Sequence, residues 1–225
     1  SLLLALCLVL SMLPVTTFAA SIVERGTCGD NLTWTLDAEG ALTISGTGEM
    51  SGWVDEYDAP WYTYREIIKT LVIEDGVTSI CERSFHQYRN LTSISLPDSI
   101  TSVGGGVFNG CSSLTSVDLP DGITSIGGDI FGVCSSLTSV DLPDALTSIG
   151  IYSFNGCNSL TSIDLPEGII SIDCYAFSNC SSLAEITFNG NAPEIAENAF
   201  NNVTAPVYYP SGNATWTDDE RQNYG

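Results

Sequence analysis

Read for its apolar positions alone, the stretch from Ile68 to Val203 repeats on a ruler of 23 residues without a gap. Ile68, Leu91, Leu114, Leu137, Leu160 and Leu183 open six units. Leu71, Ile94, Val117, Val140, Ile163 and Ile186 form the next column, and Ile73, Leu96, Leu119, Leu142, Leu165 and Phe188 the one after it. Ile80, Val103, Ile126, Ile149, Ile172 and Ile195 fall near mid-unit, and Phe85, Phe108, Phe131, Phe154, Phe177 and Phe200 close each unit. A unit this short cannot bury its apolar face alone and does so against its neighbours, so the pattern predicts one elongated repeat solenoid.

Within a unit, Leu114, Val117 and Leu119 have strand spacing, with Val117 and Leu119 on one face and Thr115, Ser116 and Asp118 on or near the other. Pro120-Asp121-Gly122 then turns the chain, and Ile123 and Ile126 return as a second short extended piece. Phe131 and Cys134, after Gly127-Gly128, predict a single helical or 3₁₀ turn. The expected fold is mainly β, with short parallel strands stacked coil on coil at roughly 4.8 Å, so that six units make a rod or arc about 29 Å long.

These columns resemble leucine-rich repeats, and L-T-S-V-D-L-P-D-G-I-T-S-I-G-x-x-x-F-x-x-C is similar to the treponemal or BspA-like variety. The resemblance covers Ile68 to Val203, and the flanks "GTCGDNLTWTLDAEGALTISGTGEM" and "APVYYPSGNATW" are similar to the ends of such arrays. It implies a right-handed coil and an attachment function, through contact with host extracellular-matrix proteins, cell surfaces or other microbes. One column departs from the common repeat: where Asn or Cys normally satisfies the turn backbone, this chain has Gly76, Ser99, Gly122, Ala145 and Gly168, with Asn191 only in the last unit. The turn must therefore find other partners.

Residues 1–19 read as a secretory leader whose start is cut short, with Thr17 and Ala19 at the cleavage positions. Residues 20–67 read as an N-terminal cap: Leu32–Leu36 and Ala41–Ser45 alternate around Asp37-Ala38-Glu39-Gly40 as a hairpin, and Trp53, Tyr57, Trp61, Tyr62 and Tyr64 follow. Residues 68–203 carry the six repeats, and residues 204–225 a C-terminal cap, itself truncated, with Tyr208, Tyr209 and Trp216 covering the last coil.

The charge narrows the partners. With 27 Asp and Glu against 6 Lys and Arg, the net charge of −21 repels nucleic acid and anionic lipid. The same charge favours a soluble monomer, with no membrane insertion once the leader is removed.

Cys111, Cys134, Cys157 and Cys180 repeat at the period, but Tyr88 and Val203 fill the same column, so it is a packing column of buried free thiols. Cys28, Cys81 and Cys174 lie off it, and a cap-to-coil bridge from Cys28 to Cys81 is compatible with an oxidising compartment.

Asp118, Asp141 and Asp164 form an outward carboxylate ladder beside Ser116, Ser139 and Ser162, continued by Ser93 and Ser95. Neighbouring charges about 5 Å apart repel by only ~1 kcal/mol in water, so the ladder is tolerated without a cation. A flat file of single carboxylates also underprovides for calcium, and no metal or other cofactor is expected.

The chain has one histidine, His86, in a column otherwise holding Asn109, Gly132, Asn155, Ser178 and Asn201, which makes it a surface-turn residue. No G-x-S-x-G, H-E-x-x-H or G-x-x-x-x-G-K pattern is present, so no enzymatic site is expected. Asn31, Asn90 and Asn213 match glycosylation acceptors of little weight in a bacterial chain.

The sequence thus points to a secreted or cell-surface, non-catalytic protein-binding scaffold whose contact face carries Ser93, Ser95, Ser116, Asp118, Ser139, Asp141, Ser162 and Asp164. Two other readings stand beside it. One is a structural spacer for a module beyond Gly225; the other is carbohydrate binding by the aromatic cap around Trp53 and Trp61.

Overall fold

The computed structural model describes residues 21–53 and 55–217. The leader read at residues 1–19 and the end of the C-terminal cap lie outside them.

Each unit forms one coil with three walls. The first is built from strands such as Ser116–Asp118 and Ser162–Leu165, and the second from two-residue strands such as Ser125–Ile126 and Ser171–Ile172. Pairing is parallel and follows the period: Val140 pairs with Val117, Ile163 with Ile186, and Ile126 with Ile149. Alternate members of these strands enter the core, with Val117, Leu119, Ile163 and Leu165 buried while Ser116 and Asp118 stay exposed. The Pro-Asp-Gly corner closes as predicted, Ile123 N donating to Pro120 O at 3.0 Å.

The third wall refines the expected helical turn. Bonds of 3₁₀ type are present, as from Cys134 N to Phe131 O at 3.1 Å, but alternate amides turn outward to the next coil. Asp129, Phe131 and Val133 donate to Ile151 O, Ser153 O and Asn155 O at 2.9, 2.8 and 2.7 Å. Two left-handed residues per coil make this possible: position 83 and its equivalents 106, 129, 152, 175 and 198, and position 87 with 110, 133, 156, 179 and 202, all with φ between 56° and 75°. A left-handed residue at each end stops the turn from propagating into a helix and aims its amides along the solenoid axis. Many backbone donors on this wall thereby gain a partner within the coil or on the next one, and Ser153 Oγ adds bonds to Gly127 O and Gly150 O at 2.8 and 2.6 Å.

Phe85, Phe108, Phe131, Phe154, Phe177 and Phe200 stack through this wall with centroids 5.1–5.7 Å apart and rings within 18° of parallel. In the column that lacks the usual Asn, Ser99 does the work in one coil: its Oγ donates to Val77 O at 2.8 Å and accepts from Gly76 N at 3.0 Å.

The N-terminal cap adds β1 (Ile22–Gly29), β2 (Leu32–Asp37), β3 (Ala41–Gly46) and the two-residue β4 (Gly48–Glu49), which pairs parallel with Val77–Ile80. β2 and β3 form the predicted antiparallel hairpin, and β1 pairs with the outer edge of β2. β3 then runs parallel to Thr70–Ile73, Leu42 facing Leu71 and Ile44 facing Ile73, so the hairpin continues the repeat's apolar columns in register.

Trp61, fully buried, lies 5.4 Å from Phe85 at 6° and ends the phenylalanine stack. Its indole Nε1 donates to Ser84 O at 3.0 Å. Trp53, Tyr62 and Tyr64 are partly buried beside it, whereas Tyr57 is exposed. At the other end Trp216 is buried against Phe188 and Tyr209 stacks on it at 5.0 Å. Tyr208 does not share this work, because the outward register of its strand leaves it 53% exposed.

Candidate functional site

The strand wall presents two exposed columns that the repeat period generates. The first runs through Thr70, Ser93, Ser116, Ser139, Ser162 and Glu185, and the second through Val72, Ser95, Asp118, Asp141, Asp164 and Thr187. Direct pairing aligns Ser139 with Ser116, Asp141 with Asp118, Ser162 with Glu185, and Asp164 with Thr187. Ser93, Ser95, Ser116, Asp118, Ser139, Asp141, Ser162 and Asp164 are all exposed, so the structure places the eight predicted residues on one surface. The preceding threonines stiffen it: Thr92, Thr138 and Thr161 donate their Oγ1 to Lys69 O, Thr115 O and Thr138 O at 3.0, 2.9 and 3.4 Å. What results is a polar face with carboxylates at the spacing of the coils, able to pair with cations and to accept hydrogen bonds.

The alternative site fares differently. Trp61 is enclosed between Phe85 and the edges of Trp34 and Trp53, so no face of its ring is open to a sugar.

The BspA-type leucine-rich repeat pattern matches in six copies, over residues 61–158 and 104–208. The chain belongs to the BspA-type leucine-rich repeat family. Among solved structures, the leucine-rich repeat protein of T. pallidum is 23% identical, with 84% of this chain and 89% of that one covered and a TM-score of 0.53. A leucine-rich repeat protein from Bacteroides ovatus is 21% identical over 75% of this chain and 52% of that one, with a TM-score of 0.49. One from Eubacterium ventriosum is 17% identical over 80% and 77%, with a TM-score of 0.44. No curated protein matches the chain.

The BspA-type array buries its periodic thiols. Cys111, Cys134, Cys157 and Cys180 each direct Sγ at the carbonyl of a phenylalanine in the preceding coil, at 3.1–3.2 Å. Burial pushes Cys134 and Cys180 up to about 12 and holds Cys111 and Cys157 well above the ordinary thiol range. Thiols that keep their protons this firmly are poor nucleophiles and poor ligands. The bridge from Cys28 to Cys81 is not formed: both are free, and burial raises Cys28 to about 11.

Among the described residues no three His, Cys, Asp or Glu side chains converge as metal ligands, and no helix is long and apolar enough to cross a membrane. The side-chain amides of Asn90 and Asn213 donate to Glu66 O and Gly190 O at 2.8 and 3.3 Å, which engages them in packing between coils.

His86 is half-buried rather than an exposed turn residue, because the cap folds against the first coil. There it lines a concavity of about 330 Å³ with Tyr57, Tyr62, Arg65, Glu66, Gln87 and Arg89. Sequence reading passed over this group because its members belong to two segments that only the fold unites. The signal available was the loss of small residues in the first unit, where HQYRN replaces the NGCSS of the second.

Proposed function

We propose that this chain is a secreted or cell-surface protein-binding scaffold that makes its contact through the Ser/Asp strand face, in attachment to host matrix or cell-surface proteins. The observation that carries the reading is the in-register exposure of Ser116, Ser139 and Ser162 beside Asp118, Asp141 and Asp164. Repeat families use a fold to present a surface, and the chemistry of the surface selects the partner. Here the face is acidic and hydroxyl-rich, which suits a partner with a basic patch and makes the encounter dependent on salt. The leader-like sequence at residues 1–19 supports an extracellular address. A non-catalytic role is part of the same reading, and the sealed periodic thiols support it.

The test is the triple variant Asp118→Asn, Asp141→Asn, Asp164→Asn against a panel of purified extracellular-matrix proteins. Asn keeps the shape and leaves the exposed strand face folded, so the thermal transition stays in place while capture at low salt falls about tenfold or more. Capture that is unchanged, with the transition also unchanged, removes the strand face from the binding surface.

A further inference from the structure

Most of the cations of this chain fall in one stretch of sequence. Of the six Lys and Arg residues, Arg65, Lys69, Arg83 and Arg89 fall within one short stretch together with the single histidine His86, in a chain of net charge −21. The repeats supply an internal control. Arg89 stands in a column that elsewhere holds Ser112, Ser135, Asn158, Ser181 and Thr204, and the other five coils fold with those small side chains. An arginine there is not demanded by the coil.

The fold gathers part of this charge into the 330 Å³ concavity between cap and first coil, at the lower end of the ~300–1,000 Å³ range of ligand clefts. Arg65 and Glu66 lie on the cap side, with His86, Gln87 and Arg89 on the turn of the first coil. Both guanidinium groups have a neighbour within the concavity. Arg65 Cζ sits 4.4 Å from the Tyr62 ring centroid, and its Nε lies 3.3 Å from Glu66 Oε1. Arg89 Nη2 donates to Gln87 Oε1 at 3.4 Å. Each fork therefore uses one edge on the protein and keeps further N–H donors for a planar oxyanion. Tyr57 meets Tyr62 edge to face at 4.9 Å and is 60% exposed, so an aromatic surface stands at the rim.

We propose that this concavity binds one acidic sugar residue, its carboxylate or sulfate group held by Arg65 and Arg89 and its ring lying against Tyr57. Glu66 selects among oxyanions: its carboxylate beside Arg65 penalises a phosphate dianion and tolerates a group of single charge. The limited size selects one ring over an extended acidic peptide, which needs a longer basic groove. Nothing in this site involves the strand face, so the two can fail separately.

The full chain is titrated with sialylated, uronate-containing and sulfated oligosaccharides, with lactose, inorganic sulfate and poly-glutamate as references. An acidic saccharide binds where lactose does not, and whether carboxylate or sulfate is preferred follows from the arms. Arg65→Gln and Arg89→Gln each weaken binding about tenfold or more. Tyr57→Ala weakens it without altering its salt dependence, and the Asp118, Asp141 and Asp164 triple variant leaves it intact. Arg65 also packs on Tyr62, so if Arg65→Gln unfolds the cap, Arg89→Gln with a salt titration carries the test. Absence of saccharide binding overturns the proposal, as does binding that survives loss of Arg89. So does inorganic sulfate or poly-glutamate binding as tightly as the saccharide.

Discussion

The interior coils and the N-terminal end bury the same axis with different residues. In the interior each coil has a copy of itself on both sides, so Phe108, Phe131 and Phe154 stack at 5.5–5.7 Å and Cys111, Cys134 and Cys157 follow them turn by turn. At the end one neighbour is missing. Trp61 takes the last place in the stack and meets Trp34 and Trp53 edge-on, while Tyr88 fills the cysteine column of the first coil. Identical neighbours force identical residues, and an end is free of that constraint. It is at this end, where the repeat relaxes, that Arg65, His86 and Arg89 come together.

The largest consequence lies with the interior thiols. The ordinary thiol value is 9.0, and in the folded coils Cys134 and Cys180 are raised to about 12. Above pH 9 the unfolded chain releases protons that the folded chain retains, so the unfolded state binds fewer protons and stability falls as pH rises. The stabilisation is complete below pH about 9 and is lost between about 9 and 12, at up to about 1.4 kcal/mol per thiol for each pH unit. Denaturant midpoints measured from pH 7 to 11 should therefore hold to about pH 9 and drop steeply above it, and the double variant Cys134→Ala, Cys180→Ala should drop less steeply there even though its midpoint at pH 7 is lower. All other groups are common to both proteins, so the comparison isolates the two thiols. Equal slopes would mean that the column thiols are not sealed.

Next in size is the ring that closes the stack. Trp61→Ala removes a fully buried side chain and should cost about 3–5 kcal/mol, within the range for large-to-small core changes. Phe131→Ala should cost a similar amount, but the location of the damage differs. In a one-dimensional array each coil leans only on its neighbours. Hydrogen exchange should accelerate first in the cap and first coil for Trp61→Ala, and on both sides of the third coil for Phe131→Ala. Uniform acceleration in both would show that cap and array unfold as one unit.

Leu114, Val117 and Leu119 were legible in the sequence because burial acts on side chains, and a buried column tolerates few of them. The eight Ser and Asp residues of the strand face were legible by the same alternation, read on its outer side. The third wall was not. Its left-handed positions hold Arg83, Gly106, Asp129, Tyr152, Tyr175 and Asn198 in one column, a mixture of charged, aromatic and small residues. The ladder between coils imposes that conformation on the backbone, so this column carries no single residue type, and only the Gly and Asn residues of the other column, Gly110, Gly156, Asn179 and Asn202, hint at it. The basic concavity was hidden for another reason: Tyr57 and Arg65 precede the first unit and Arg89 ends its turn, and only docking of the cap brings them together.

The smallest effect tests the third wall itself. Val133 holds φ at 59°, where a β-branched side chain crowds the backbone, and it is 53% exposed, so it gains little from burial. In the same column Gly110, Gly156, Asn179 and Asn202 adopt the same conformation, and Asn is among the side chains that tolerate it best. Val133→Asn keeps the amide that donates to Asn155 O at 2.7 Å and relieves the crowding. It should stabilise the chain by about 1 kcal/mol and raise the thermal midpoint by about 2–4 °C, read by calorimetry. The reverse change, Asn202→Val, should lower the midpoint by a similar amount. If both variants melt with the wild type, the left-handed column is not enforced in solution and the third wall relaxes toward the helical turn that its sequence first suggests.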